Sequence, residues 1–119
     1  MTINNAKLKA CIKLSHKVTV YVPATSGVDT AADNTEQVKR TAALMADCFG
    51  GSTSTAALGY WLSPAVGLVA ENTTVVFAYA SDKDLQAHIG RVVDHCEEIK
   101  REMQQEAVAL EINGEMYFI

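Results

Sequence analysis

The sequence predicts an α+β protein whose strands and helices follow one another in the order β-α-β-β-α-β-β. Two observations predict this order. Short segments with a period of two are typical of half-buried strands, and they alternate with two longer segments whose apolar residues recur every three or four positions, as in helices. Apolar residues make up 49% of the 119 positions. That is enough for one core, and the length fits one domain.

The first strand and first helix are predicted by alternation followed by a helix-start signal. In "VTVYVPA" (Val18–Ala24), valines alternate with Thr19 and Tyr21, as in a strand. After a turn-rich stretch, Asp33 and Glu36 have the spacing of a capping box. The helix that follows has one apolar stripe, made of Val38, Ala42, Met45 and Phe49. A glycine pair at positions 50 and 51 ends it.

The middle of the chain is predicted to be a hairpin. "STAALGYWL" (Ser54–Leu62) is interpreted as the second strand and "TTVVFAYA" (Thr73–Ala80) as the third, which is rich in β-branched and aromatic residues. A loop around Pro64 and Gly67 joins them. This hairpin holds Trp61, the only tryptophan of the sequence.

The second helix is predicted to begin after a capping Ser81 and to bury an almost unbroken stripe. The stripe consists of Leu85, Ile89, Val92, Val93, Cys96, Ile99 and Met103. "EAVALEI" (Glu106–Ile112) follows as a strand. Asn113–Gly114 is a strong hairpin signal, so "EMYFI" is predicted to close the chain as a short last strand.

The first six elements match the ferredoxin-like β-α-β-β-α-β plan, in which two helices cover one face of an antiparallel sheet. The large apolar sets are predicted to face the helices: Val18/Val20/Val22, Val75/Phe77/Tyr79 and Val108/Leu110/Ile112. Strand parity then places Tyr60 and Glu71 on the helix side and Trp61 on the open face.

The open face is predicted to be weakly polar and almost uncharged, with Thr19, Tyr21 and Trp61 among its members. A sheet face in water normally carries charged side chains. We therefore expect it to be covered, in the first instance by a second copy of the chain in a homo-oligomer, most simply a dimer. A ligand or the N-terminal arm could cover it instead, since Leu8, Ala10, Ile12 and Leu14 alternate as in a strand.

Charge divides the chain in two. Residues 1–17 contain four of the ten basic side chains and no acidic one, whereas all 14 acidic side chains lie in residues 18–119. We predict a basic arm over 1–17, either flexible or an added strand, and a single domain over 18–119. An acidic body argues against direct nucleic-acid binding. The sequence has no membrane-spanning run and no metal-site spacing of its three cysteines, so we expect a cytoplasmic protein without a cofactor.

Two groups of polar residues are interpreted as structural. His88 and His95 lie seven apart with Asp84 nearby, a weak metal-site pattern that is more typical of a solvated helix flank. Gln105 and Glu106 lie at the joint between helix and strand, where they can satisfy loose backbone groups.

A third group could form a binding site. Tyr60 and Trp61 offer stacking faces, and the carboxylate of Glu71 can hold a ligand that carries hydrogen-bond donors. The alternative is an aromatic plug for the end of the core, with Glu71 as a structural clamp across the hairpin. Parity separates Glu71 from Trp61, so Trp61 with Tyr21 is the favoured contact surface.

The chain also resembles a family of small bacterial proteins in which Gly-x-Trp precedes a Gly-x-x-x-Glu-x-Ser/Thr hairpin and Gln-x-Ser/Ala-Val opens the last strand. The matching positions are Gly59, Trp61, Gly67, Glu71, Thr73, Gln105, Ala107 and Val108. "VTVYVPAT" and "EEIKREMQQEAVALEINGEMYFI" are similar to small proteins of phages, plasmids and integrative elements of Firmicutes. The resemblance implies a ferredoxin-like fold and a mobile-element setting, and it assigns no reaction.

The absence of a catalytic motif leads us to expect a non-enzymatic binding protein of phage or mobile-element type. It could act as a counter-defence factor that inhibits a nuclease complex or sequesters a nucleotide signal. Two alternatives stay open. One is a dimeric α+β barrel enzyme using Glu71, Tyr60 or His88 for acid–base work, and the other is an interaction module without a pocket.

Overall fold

A computed structural model describes residues 2–27 and 30–119 of the chain. The predicted connection between the first strand and first helix includes residues 28 and 29, which lie outside the described residues. The helices are α1 (Ala6–Lys9), α2 (Thr35–Phe49) and α3 (Asp82–Glu102). The strands are β1 (His16–Pro23), β2 (Thr25–Ser26), β3 (Thr30–Ala31), β4 (Thr53–Ser63), β5 (Gly67–Ala80), β6 (Ala109–Ile112) and β7 (Glu115–Phe118).

The main sheet has five strands in the order β4-β5-β1-β6-β7, and all its neighbouring strands are antiparallel. Its first four strands have the ferredoxin-like order, and β7 adds one strand at the edge next to β6. β2 and β3 form a separate two-stranded ladder. The predicted α+β, ferredoxin-like fold with an added C-terminal strand is therefore confirmed.

One face of the sheet packs against α2 and α3. Val20 is fully buried at its centre and lies opposite Val76 on β5 and Leu110 on β6. From the helices, Met45 and Ile99 are fully buried in the same core. Because directly opposite residues of an antiparallel pair share a face, Val76 and its neighbours two positions away all face the helices.

The prediction that Val75, Phe77 and Tyr79 face the helices is wrong. They lie on the open face, because the regular register pairs Tyr21 with Val75 and Lys17 with Tyr79. There Phe77 and Tyr79 meet edge to face with ring centroids 6.1 Å apart, and the Lys17 ammonium lies 4.5 Å from the Phe77 centroid. The smaller side chains at positions 76, 78 and 80 lie beneath the helices instead.

The predicted helix ends are largely observed. Ser81 accepts a hydrogen bond from the backbone N–H of Asp84 at 3.1 Å, and α2 ends at Gly50 in a left-handed conformation with φ 98°. The capping box predicted at Asp33 and Glu36 is not observed: the N-cap position of α2 is Asn34, and the Asp33 carboxylate accepts a hydrogen bond from the Thr35 N–H instead.

His95 does not lie on a solvated flank as predicted. It is 7% exposed, and its Nε2 lies 2.7 Å from the hydroxyl oxygen of Thr41 on α2. Burial lowers the pKa of His95, with a further contribution from the nearby Arg40 guanidinium. The side chain therefore links the two helices.

The last two strands follow the predicted hairpin signal. Asn113 and Gly114 have φ values of 53° and 84°, the left-handed conformations that a tight Asn-Gly turn requires. β6 begins at Ala109 rather than at Glu106. Before it, Val108 exchanges two backbone hydrogen bonds with Ile119, so the ladder continues one pair beyond the strand.

β4 and β5 extend beyond the rest of the sheet. The strand pairing of β1 with β5 ends at Pro23 opposite Thr73. Past this point β4 and β5 pair with each other, and one further backbone hydrogen bond joins the Ala24 N–H to the Asn72 carbonyl at 3.1 Å. We call this projecting part, residues 58–72, the hairpin arm. Its apolar side chains are exposed at Leu58, Tyr60, Leu62, Val66 and Leu68.

The N-terminal residues form a second projection. Within the predicted basic arm, residues 6–9 are helical and Asn5 caps them through hydrogen bonds to the N–H groups of Lys7 and Leu8. Ile12 is 94% exposed. No helix among the described residues is long and apolar enough to cross a bilayer.

Candidate functional site

A cleft of about 260 Å³ lies where the hairpin arm meets the connection between α3 and β6. Its lining consists of Gly27, Trp61, Glu71, Gln104, Gln105, Glu106 and Ala107. These residues come from three separate stretches of the chain. The cleft therefore exists only because the sheet brings the hairpin arm beside the end of α3.

The hairpin arm supplies one wall of the cleft. The register pairs Glu71 with Gly59 and Trp61 with Val69, so Glu71 and Trp61 lie on the same face as diagonal neighbours. Opposite Glu71, Gly59 has no side chain, and a Cβ built there would lie 3.7 Å from the Glu71 carbonyl oxygen. Glu71 is half-buried and Trp61 is 37% exposed, so both are accessible from the cleft.

The prediction that separated Glu71 from Trp61 is therefore wrong. It assigned Glu71 to the helix side together with Val75, Phe77 and Tyr79, and that whole set lies on the open face. The pairing of β4 with β5 is regular from Thr53 to Ser63, with no bulge to change parity. The alternative interpretation, that Trp61 and Glu71 are walls of one pocket, fits the observed geometry.

The connection between α3 and β6 supplies the opposite wall. The Gln105 amide nitrogen lies 2.9 Å from the carbonyl oxygens of both Thr25 and Gly27 and 3.1 Å from that of Met103. The Gly27 N–H also donates to the Met103 carbonyl at 2.9 Å. Gln105 thus joins the segment after β1 to the end of α3, the backbone-satisfying role predicted for it.

The chain turns sharply at this wall. Gln104 has φ 52°, one of two non-glycine residues in the described chain with a positive φ, and Gly27 has φ 70°. A left-handed conformation is uncommon for a non-glycine side chain. The hydrogen bonds around Gln105 hold these two turns side by side, and they place Glu106 at the rim of the cleft.

The lining of the cleft favours ligands that are rich in hydrogen-bond donors. It contains two carboxylates, two side-chain amides and one indole ring, and no lysine, arginine or histidine. Carboxylates accept hydrogen bonds and attract cations, and the face of an indole ring attracts them as well. An anionic ligand such as a phosphate finds no cationic side chain in this lining.

The remaining predicted contact residues lie apart from the cleft. Tyr60 is 62% exposed on the other face of the hairpin arm. Tyr21 lies on the open face and donates a hydrogen bond to the Glu111 carboxylate at 2.7 Å, which raises the pKa of Tyr21. Thr19 is 4% exposed. Among the described residues, no group of three His, Cys, Asp or Glu side chains is placed to hold a metal ion.

Sequence reasoning missed the contributions of Gly27, Gln104 and Ala107 to the cleft. Gln105 and Glu106 were identified only as residues at a joint. The contact of Gln105 with Thr25 and Gly27 joins parts of the chain that are about 80 positions apart, and no local sequence pattern predicts it. The one available signal was the Gln-x-Ala-Val motif, which lies across the cleft from the Gly-x-Trp motif.

Comparison with known proteins gives a fold but no family. No family model and no curated protein matches the chain. A solved structure of a phage SAM lyase in complex with S-methyl-5'-thioadenosine matches with a TM-score of 0.64 and 22% identity, covering 87% of this chain and 88% of that one. A phage SAM lyase in the apo state matches with a TM-score of 0.63 and 23% identity over 92% and 94% of the two chains.

These matches overturn the expectation of a non-enzymatic protein. The two structures share the fold along nearly the whole of both chains, and each is the structure of a lyase. The absence of a catalytic motif was therefore a poor ground for expecting a non-enzymatic protein. The expected association with phages agrees with these neighbours, since both are phage proteins.

Proposed function

We propose that this protein is a lyase that cleaves S-adenosylmethionine and releases S-methyl-5'-thioadenosine. The observation that carries the proposal is the cleft lined by Trp61, Glu71, Gln105 and Glu106. It is an acceptor-rich, cation-free cleft in a fold shared with a phage SAM lyase. Fold similarity alone does not assign a reaction, so the chemistry of the cleft has to support it.

The ligand and the cleft are complementary in charge, in hydrogen-bonding groups and in the flat surfaces they offer for stacking. S-adenosylmethionine carries a sulfonium, an ammonium, one carboxylate, two ribose hydroxyls and a flat adenine ring, so its net charge is positive. The indole of Trp61 offers a stacking face for the adenine. Glu71 and Glu106 offer carboxylates to the hydroxyls and the ammonium, with charge-assisted hydrogen bonds of the stronger kind. The same lining disfavours nucleotide phosphates, which argues against sequestration of a nucleotide signal.

The reaction itself limits where the carboxylates can help. When the bond from sulfur to the four-carbon chain breaks, the sulfonium takes the bonding electrons and becomes a neutral thioether. A carboxylate at the sulfur would stabilise the charged substrate more than the transition state and would slow the reaction. We therefore place Glu71 and Glu106 at the ribose and the ammonium, where they orient the substrate.

The four-carbon fragment can form a stable product by two chemically balanced routes. Its own carboxylate oxygen can attack the carbon that leaves sulfur and close a lactone, with no proton transferred. Alternatively, a base can remove a proton from the adjacent carbon, and an alkene forms. Neither route uses water, as expected of a lyase.

Product analysis tests this proposal. Purified protein incubated with S-adenosylmethionine in H₂¹⁸O is expected to give S-methyl-5'-thioadenosine together with an unlabelled four-carbon product immediately after quenching. The lactone and the unsaturated amino acid are isomers of equal mass, so proton NMR, in which only the unsaturated product shows vinyl signals, distinguishes them. Homoserine carrying one ¹⁸O in its hydroxyl group from the earliest time points would contradict the lyase assignment, since it would show direct hydrolysis.

We also propose that the open face is covered by a second copy of this chain. This face exposes Trp61, Tyr79, Met116 and Phe118, while the charged side chains among its members are Lys17, Glu71 and Glu111. Burial of such a surface between copies is favourable at about 25 cal/mol per Å² of apolar area. The basic, apolar N-terminal arm complements the acidic body of another copy in charge.

A native mass measurement tests this arrangement. The unmodified chain is expected at a multiple of 12.8 kDa. Tyr79→Glu, which replaces an exposed aromatic ring of the open face with a carboxylate, is expected to shift the mass toward one chain. Gln86→Glu, which adds the same charge at an exposed position of α3 on the other side of the sheet, is the control and is expected to keep the oligomer. A monomeric mass for the unmodified chain would refute the second copy.

A role against host defence would then depend on the removal of S-adenosylmethionine by this protein, and not on binding of a nuclease. Removal of S-adenosylmethionine deprives a host of its methyl donor, and this would fit the phage setting implied by the sequence. Direct inhibition of a nuclease complex has no corresponding feature in the cleft.

A further inference from the structure

The Gln105 side chain is fixed by an unusual concentration of backbone acceptors. Its amide nitrogen lies within hydrogen-bond distance of the carbonyl oxygens of Thr25, Gly27 and Met103, and 3.3 Å from the Thr25 hydroxyl oxygen. Carbonyl oxygens only accept hydrogen bonds, so the group facing them has to be the NH₂ end of the amide. The orientation of the amide is therefore settled by its surroundings.

The other end of this amide has no such partner among the residues that the structure describes. Within residues 2–27 and 30–119, no donor is found within hydrogen-bond distance of the Gln105 side-chain oxygen. Gln105 is half-buried and belongs to the lining of the cleft. Its NH₂ is committed to the backbone, so the one polar atom it can offer to a ligand is an acceptor.

We propose that Gln105 is a specificity-determining residue whose side-chain oxygen accepts a hydrogen bond from an N–H group of the ligand in the cleft. This inference rests on the proposed function, and it names the group that S-adenosylmethionine must present. Two N–H sources are available on that ligand, the 6-amino group of adenine and the ammonium. The three backbone carbonyl oxygens hold the NH₂ end of the amide, so the side chain cannot rotate to offer this NH₂ to the ligand. Gln105 should therefore reject a ligand that places a hydrogen-bond acceptor opposite its side-chain oxygen.

The neighbouring residues make this acceptor rigid. Gln104 is held in its left-handed conformation, with its N–H donating to the Arg101 carbonyl at 3.3 Å, and the Gln105 N–H donates to the Lys100 carbonyl at 2.9 Å. Backbone and side chain of Gln105 are both anchored. A ligand therefore meets an acceptor that loses little conformational entropy on binding.

Binding measurements with two matched ligand pairs test the inference. The first pair is S-methyl-5'-thioadenosine and S-methyl-5'-thioinosine, in which a carbonyl replaces the amino group. The second is S-adenosylhomocysteine, a thioether that cannot undergo the sulfonium cleavage, and its analogue without the α-amino group. For the unmodified protein, we expect one pair to differ in Kd by about tenfold, the value of one well-made hydrogen bond. The pair that differs identifies the N–H source.

Variants then assign the difference to Gln105. In Gln105→Met the tenfold difference is expected to fall to about twofold or less. Gln86→Met, the same substitution at an exposed glutamine of α3 outside the cleft, is expected to keep it. Circular dichroism shows whether each variant is folded. A folded Gln105→Met that still discriminates would overturn the inference, as would equal Kd values within both pairs for the unmodified protein, a result independent of any variant. If the unmodified protein binds neither S-adenosylmethionine nor S-methyl-5'-thioadenosine, the proposed function fails first.

Discussion

Replacing Glu71 with glutamine is expected to lower kcat/KM for cleavage of S-adenosylmethionine by about 10- to 100-fold. The substitution keeps the shape of the side chain and removes its charge. A hydrogen bond to a charged group contributes about 1.5–3 kcal/mol, and each 1.4 kcal/mol corresponds to a factor of ten. Glu71 is half-buried beside Trp61, so its charge is less screened than that of a surface carboxylate.

The matched control is Glu97→Gln, which removes an exposed carboxylate from α3 outside the cleft. We expect its kcat/KM to stay within about twofold of the unmodified protein, because an isolated surface charge contributes little. Initial rates of S-methyl-5'-thioadenosine release measure both variants. Equal rates for Glu71→Gln and Glu97→Gln would remove Glu71 from the site.

Truncating Leu110 to alanine is expected to reduce the free energy of unfolding by about 2–5 kcal/mol. Leu110 is 1% exposed on β6 and lies opposite Val20 of the central strand β1. Its removal leaves a cavity between the sheet and the helices. A loss of this size is a large fraction of the stability of a small domain, so the variant should also be depleted from soluble expression.

Leu8→Ala is the matched control for this truncation. Leu8 is 56% exposed on α1 in the N-terminal arm, outside the core. Its expected effect is within about 0.5 kcal/mol. Urea unfolding followed by circular dichroism measures both. A loss below 1 kcal/mol for Leu110→Ala would contradict the described core.

The sequence predicted the fold well because its local signals agree with one another. The alternation of β1, the apolar stripes of α2 and α3, the Ser81 cap and the Asn113–Gly114 turn all specify the elements that are observed. The exception was β5, for which the sequence predicted the wrong set of side chains to face the helices. It is apolar on both faces, so alternation carries no information about which face meets the helices, and only packing decides.

The candidate site could be predicted only in part. The Gly-x-Trp and Gln-x-Ala-Val motifs pointed to the two walls, yet nothing local links them. Their meeting depends on β4 and β5 extending past β1 and on Gln105 holding the Thr25–Gly27 segment. The error in β5 parity then moved Glu71 to the wrong face. A long-range register, rather than a motif, decides which side chains share the cleft.

The measurement that tests the central claim most directly is the yield of S-methyl-5'-thioadenosine when S-adenosylmethionine is in large excess over the purified protein. We expect many molecules of product per chain, formed at a rate proportional to protein concentration and strongly reduced in Glu71→Gln. Recovery of intact S-adenosylmethionine, with no product above the spontaneous background, would contradict the assignment of this cleft to a lyase.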